Sequence, residues 1–268
     1  MNRLASFGKA LERYPSALGF IFVNRLAWYF IFPILLHILL LYLSIYSSSE
    51  LARMLQHALA DKIGADADGW GTHLSWLVGG LLWLVLKILF FVVFAYLGGY
   101  IVLILLSPVL AFLSERTEVI LTGVRRESDM YDMAADAMRG ILLSLRNMLA
   151  ELSILVAVFC VSILLGWIPI VGWLLAIAGQ VYLLGVAAYF YGFSFVYYTT
   201  ERRHLALRSS VLLARTNKSE LVGTGLPFAL CLLIPFVGGF VASFVAIVST
   251  VAGTMTACDI LADDSKNI

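Results

Sequence analysis

Two short repeats, Ile168-Pro169-Ile170-Val171-Gly172 and Ile234-Pro235-Phe236-Val237-Gly238, are the residues of this chain best suited to handle an ion. A proline removes a backbone donor and blocks the preceding turn, while a glycine takes conformations that other residues resist. Each repeat therefore breaks a helix and lets the chain bend back. A half-helix starting after Pro169 or Pro235 offers unpaired N–H groups and a partial positive charge, which favour an anion. The sequence around the breaks is uncharged, from Leu152 to Thr200 and from Leu221 to Cys258. Broken backbone at membrane depth is tolerated only against protein or a water-filled cavity, so paired breaks point to a permeation or binding site. Pro169, Gly172, Pro235 and Gly238 are the residues expected to shape it.

Two polar side chains in apolar surroundings join this candidate pathway. His37 follows Pro33-Ile34-Leu35-Leu36 inside a predicted span, where it serves either a ligand or a helix–helix hydrogen bond. Lys87 is charged deep in an apolar run, where it either attracts an anion or snorkels to an interface. No catalytic constellation stands beside them. HExxH, GxSxG and P-loop patterns are absent, and His37, His57, His73 and His204 fall in different segments. No metal, cofactor or enzymatic activity is expected. Cys160, Cys231 and Cys258 lie in apolar runs without a CxxC partner and read as small buried hydrophobes, with no disulfide framework. No basic stripe interleaved with aromatics suggests nucleic acid.

The elements that must position these residues are membrane helices. Hydrophobic residues make up 62% of the chain against 13% charged, and mean hydropathy is +0.95, too apolar for a soluble domain. The expected fold is a single all-α, polytopic integral membrane domain over residues 1–268. Residues 1–25 carry Leu4, Phe7, Leu11 and Tyr14 at helical spacing between charges, as in an amphipathic helix on the cytoplasmic membrane surface. No cleavable signal peptide is expected, because no uninterrupted apolar core precedes Pro15.

Two long transmembrane helices are expected at 26–46 and 73–113, around an outside loop at 47–72. Pro33 is a candidate kink in the first, and Lys87, Gly98-Gly99 and Ser107-Pro108 divide the second. Residues 114–150 form a cytoplasmic helical segment with a Met-rich amphipathic stripe, and 151–200 and 221–258 are the interrupted hairpins. Leu152–Ile168 gives about 25 Å of helix and Leu221–Ile234 about 21 Å, so at least one hairpin is expected to penetrate only part way. The alternative is ordinary spans joined by a tight outer turn.

Lys and Arg number four in the N-terminal segment, five in 115–147, five in 201–220 and two in 47–72. That asymmetry places both termini and the basic segments in the cytoplasm and requires each interrupted segment to return to the side it left. Gly238, Ala242 and Ala246, and then Ser249, Gly253 and Ala257, form small-residue ladders at four-residue spacing. Such ladders permit close helix packing in lipid and support a homo-oligomer.

At these same residues the chain resembles the CysZ-type sulfate permeases, the family that shares a domain with the etoposide-induced 2.4 proteins. Pro33-Ile34-Leu35-Leu36-His37 looks like the family's Pro-Leu-Leu-x-Asn. Ser107-Pro108 through Leu113-Ser114-Glu115, then Leu121-Thr122-Gly123, looks like its Ala-Pro-Phe-Asn to Ala-Glu and Leu-Thr-Gly block. Ile168–Gly172 is similar to its first Ile-Pro turn, and Tyr198 through Glu201 to Ile234-Pro235 and Ala257–Asp259 to its C-terminal block. The resemblance implies cytoplasmic termini, partly penetrating hairpins, homo-oligomers and sulfate uptake across a bacterial inner membrane. The chain departs from the pattern at the anion element. Where the family has Gly-x-Arg-Arg, this chain has Arg25-Leu26-Ala27-Trp28, leaving Arg25 to attract the anion. Leu110 replaces the family's Asn and Tyr197 its Asp. Two functions follow: passage of a small inorganic anion such as sulfate, or a non-transporting scaffold that binds partners or shapes lipid.

Overall fold

The computed structural model describes residues 3–42, 70–124, 130–165, 169–203, 205, 207–234 and 237–266. Every regular element among them is helical. Helix α1 spans Arg3–Val23, a 3-10 turn follows over Leu26–Phe30, and α2 covers residues 31–42. Then come α3 (Trp70–Thr122), α4 (Met130–Leu165), α5 (Pro169–Arg202), α6 (Leu207–Thr216), α7 (Lys218–Leu232) and α8 (Gly238–Lys266). Most of the expected outside loop, residues 47–69, lies outside the described residues, as do Ile168, Pro235 and Phe236.

The single domain expected for residues 1–268 divides into two compact units. One comprises Met1–Pro33 with Gly99–Ile268, the other Ile34–Gly98. The division falls at Gly98-Gly99, where the sequence already breaks its long apolar run. Four helical stretches are long and apolar enough to cross a membrane: Gly98–Thr122, Met138–Leu165, Gly172–Arg202 and Gly238–Asp263. The chain is thus a multi-pass membrane protein. A fifth span arises if Leu4–Val23 and Leu26–Tyr42, bent by 106°, act as one broken segment.

In the larger unit, α5 packs against α4, α7 and α8, while α1 lies on α7 and α8. Gly192 of α5 and Gly225 of α7 make the closest crossing. A Cβ on Gly192 would collide with the Leu221 carbonyl, and one on Gly225 with the Ala188 carbonyl, so the two backbones meet where no side chain fits. Phe228 locks the same crossing edge-on, with ring centroids 4.9 Å from Tyr191 and 5.4 Å from Phe195. Helices α4 and α5 turn a different surface outward. Phe159 and Leu164 on α4, and Trp173, Leu174 and Ile177 on α5, are exposed, as suits helices in contact with hydrocarbon.

Several expectations change. The surface helix expected over the first 14 residues continues through Pro15 to Val23, and its packed face is Ala10, Arg13, Ala17 and Ile21. Small alanines bring α1 close to α7, where a Cβ on Gly223 would lie 2.8 Å from Ala10 Cβ. The bend before the first span falls at Asn24-Arg25, not Pro33. Arg25 adopts a left-handed conformation with φ 59°, while Pro33 sits in the first turn of α2, where a missing N–H costs little. The element edges expected at 113 and 150 fall inside helices, because α3 reaches Thr122 and α4 runs unbroken from Met130 into the apolar arm. No Pro or Gly break separates the Met-rich stripe from that arm, so one helix carries both.

The helices flanking the two expected breaks differ in length. At the first, the candidate spans measure 28 and 31 residues, more than the roughly 20 a crossing needs. At the second, α7 has 15 residues, about 22 Å at helical rise, while α8 has 29. The glycines of the breaks do not have positive φ. Gly172 and Gly238 are helical, and among the described glycines positive φ occurs at Gly123, which ends α3 by donating its N–H to the Val119 carbonyl at 2.9 Å. Gly238 is required for space instead, because a Cβ there would stand 2.7 Å from the Cys231 carbonyl across the turn.

Both small-residue ladders are used within the chain. Gly238, Ala242, Ala246, Ser249, Gly253 and Ala257 are all buried, and a Cβ on Gly253 would lie 2.8 Å from Phe195 Cβ. Their packing partner is the protein's own interior, so the ladders carry no argument for an oligomer.

Candidate functional site: a buried polar end

Two linked clusters of charged side chains lie beside the apolar spans in the larger unit. In the first, α3 places Ser114 and Glu118 one turn apart on the face that meets the C-terminal end of α5. A cation at that end also complements the helix dipole. Arg202, 8% exposed, donates from Nε and Nη2 to Glu118 Oε2 at 3.2 and 3.1 Å, from Nη2 to Ser114 Oγ at 2.7 Å and from Nη1 to the Ala111 carbonyl at 3.3 Å. Arg203 Nε donates to Glu118 Oε1 at 3.0 Å, so both carboxylate oxygens are engaged. Ser114 continues the network to Thr254 of α8 at 2.9 Å and Thr199 of α5 at 3.3 Å. Arg203 also reaches Cys258 Sγ at 3.7 Å. A cavity of about 290 Å³ opens beside the cluster, lined by Glu115, Glu118, Val119, Thr122, Val124, Arg202 and Arg203.

The second cluster joins α1, α7 and α8. Arg13, itself buried, donates to Oδ2 of the half-exposed Asp259 at 2.6 Å and to buried Thr256 Oγ1 at 2.8 Å. Lys9 also approaches Asp259, at 3.4 Å. Glu220 lies 3.8 Å from Arg13 and its buried Oε2 accepts no hydrogen bond. Burial therefore prevails over the attraction of Arg13 and Lys9 and raises the Glu220 carboxyl above its ordinary pKa, with Asp259 and Asp263 adding repulsion. Tyr14 donates to the Thr224 carbonyl and shares a 2.8 Å hydrogen bond with Ser249, pinning α1 between α7 and α8. Arg203 and Arg13 thus reach neighbouring residues of α8, Cys258 and Asp259.

The residues singled out from sequence are distributed differently. Arg25 is exposed between α1 and the 3-10 turn; its backbone N–H donates to the Phe22 carbonyl at 3.3 Å, and its side chain has no hydrogen bond or ion pair among the described residues. The turn after it rests on α8, where Phe30 stacks on Phe244 at 6.3 Å. Pro169 and Gly172 occupy the first turn of α5, and Pro169 falls where a helix tolerates proline. Gly238 opens α8, and Pro235 lies outside the described residues. His37 on α2 and Lys87 on α3 belong to the second unit.

Sequence reasoning missed Glu118, Arg202, Arg203, Arg13, Glu220 and Asp259 because it counted them as solvated segment charges. A signal was present: Arg202-Arg203 directly follow a long uncharged run, and Ser114 and Glu118 share a helix face.

No curated protein matches the chain. A family model does, over residues 13–243, most of its length. The match takes in Arg13, Glu118, Arg202, Arg203, Glu220 and the breaks at 168–172 and 234–238, and by it this chain belongs to the family described as sulfate transporter CysZ/etoposide-induced protein 2.4.

Proposed function

We propose that this protein passes a small inorganic anion, sulfate or a chemical relative, through a bacterial inner membrane by a permease-like pathway. The observation that carries the reading is the family match over residues 13–243. Arg25 supports it, as an exposed cation whose side chain has no ion pair among the described residues, at the 106° bend. Both termini face the cytoplasm in this reading, following the distribution of Lys and Arg. Arg25 attracts the anion, and the broken hairpins, with Pro169, Gly172, Pro235 and Gly238, shape the route. His37 and Lys87 are its remaining polar candidates, and the working form is a homo-oligomer.

The test is flux of sulfate, sulfite and chloride into liposomes that contain the purified protein. One exposed charge contributes about 1 kcal/mol at 4 Å in a water-like dielectric, so Arg25→Ala should slow sulfate several-fold without abolishing it. Gly238→Val should cost more, because its Cβ meets a backbone carbonyl that cannot move aside. Sulfate flux no greater than in protein-free liposomes refutes the sulfate assignment. One observation favours the second reading, a membrane scaffold: Arg13 and Arg202, the buried arginines, are committed to carboxylates of the chain itself. That reading gains if no anion passes.

A further inference from the structure

We propose that the cavity beside Glu118 binds a small zwitterionic amino acid. Glu115, Glu118, Val119 and Thr122 follow i, i+3, i+4 and i+7 spacing and so line it from one face of α3, opposite Arg202 and Arg203. Arg202 is taken up by Glu118, Ser114 and the Ala111 carbonyl and offers a ligand little. Two lining groups are not. Glu115 is half-buried and its carboxylate has no hydrogen bond or ion pair among the described residues. Arg203 engages Glu118 through Nε, and the other side-chain hydrogen bond it makes among the described residues is to the Cys258 sulfur, a weak acceptor at 3.7 Å. Its guanidinium is a planar fork of five donors, so N–H groups remain for an incoming carboxylate.

A free anion drawn to Arg203 meets the Glu115 charge, and a free cation drawn to Glu115 meets Arg203. A molecule with an ammonium and a carboxylate a few atoms apart satisfies both. Glu115 stands three residues, about 4.5 Å of rise, from the Glu118 that anchors Arg203, which suits the short separation of charges in an α-amino acid. At about 290 Å³ the cavity is at the small end for ligand sites, and Val119 and Val124 give a short aliphatic side chain an apolar wall. The site is independent of the transport reading.

The experiment is titration calorimetry on the full chain in mild detergent, with alanine and valine as zwitterions, N-acetylalanine as the anion, alaninamide as the cation, and sulfate. Saturable heats with alanine or valine, at least tenfold weaker with either single-charge analogue and with sulfate, are expected. Glu115→Gln should weaken alanine at least tenfold while leaving the unfolding midpoint unchanged, since the Glu115 carboxylate makes no hydrogen bond or ion pair among the described residues. Val124→Trp, at an exposed position, should weaken it by filling the cavity. Binding of sulfate or N-acetylalanine as tight as alanine, binding of alaninamide as tight as alanine, no binding of either zwitterion, or alanine affinity unchanged in Glu115→Gln would each overturn the proposal.

Discussion

Replacing Arg202 with methionine should be among the most damaging single changes at the polar end, and comparison with Arg139 shows why. Both arginines pair with a glutamate at short range, Arg202 with Glu118 at 3.1 Å and Arg139 with Glu201 at 2.7 Å. Bond length alone would rank Arg139 first. Burial reverses the order, because the Arg202 side chain is 6% exposed and the Arg139 side chain 51%. Breaking a buried pair leaves an uncompensated charge and costs about 3–5 kcal/mol. Arg203 still holds Glu118 Oε1, which moves the expectation to the lower end, about 3 kcal/mol, while Ser114 and the Ala111 carbonyl also lose their donor. Arg139→Met should cost no more than about 1 kcal/mol, as exposed pairs do. Denaturant unfolding in mixed micelles would measure both. Glu118→Leu combined with Arg202→Met should be less damaging than the sum of the single changes by about 2 kcal/mol, because the Arg202–Glu118 pair then leaves together and only the partly exposed Arg203 loses its carboxylate. An Arg202→Met cost equal to that of Arg139→Met, or strict additivity in the cycle, would refute the reasoning.

Gly225→Val should destabilise by about 3 kcal/mol or more, since its Cβ strikes the Ala188 carbonyl, whereas Gly185→Ala in open space should gain up to about 1 kcal/mol of helix propensity; the same unfolding assay separates them. The Glu220 carboxyl is raised by burial, so its contribution to stability is fully present below the ordinary value of 4.5 and is lost as pH rises through the higher folded value. Glu220→Gln should therefore gain thermal midpoint relative to the parent as pH climbs from 4.5 towards neutrality, and a difference independent of pH would contradict the burial argument. For topology, an impermeant thiol reagent applied to intact cells should label Asp66→Cys and not Ser128→Cys in a cysteine-free background; the reverse pattern would invert the proposed orientation.

Membrane class and helical character were legible in the sequence, because hydropathy and proline act over a few neighbouring residues. Gly98-Gly99 and Pro169 mark structural boundaries for the same local reason. What tertiary structure alone decided was which small and charged residues face one another. Gly192 and Gly225 look like any two glycines until α5 and α7 cross there. The ladders of α8 read equally well as an interface between copies, and the fold places Gly253 against Phe195 of the same chain. Arg13, Glu118, Arg202, Glu220 and Asp259 carry the composition of solvated segments, yet they meet across separations of 84 to 246 residues. A charge is drawn out of water only when a partner and its hydrogen bonds are brought to it, and that pairing depends on how helices far apart in the chain pack.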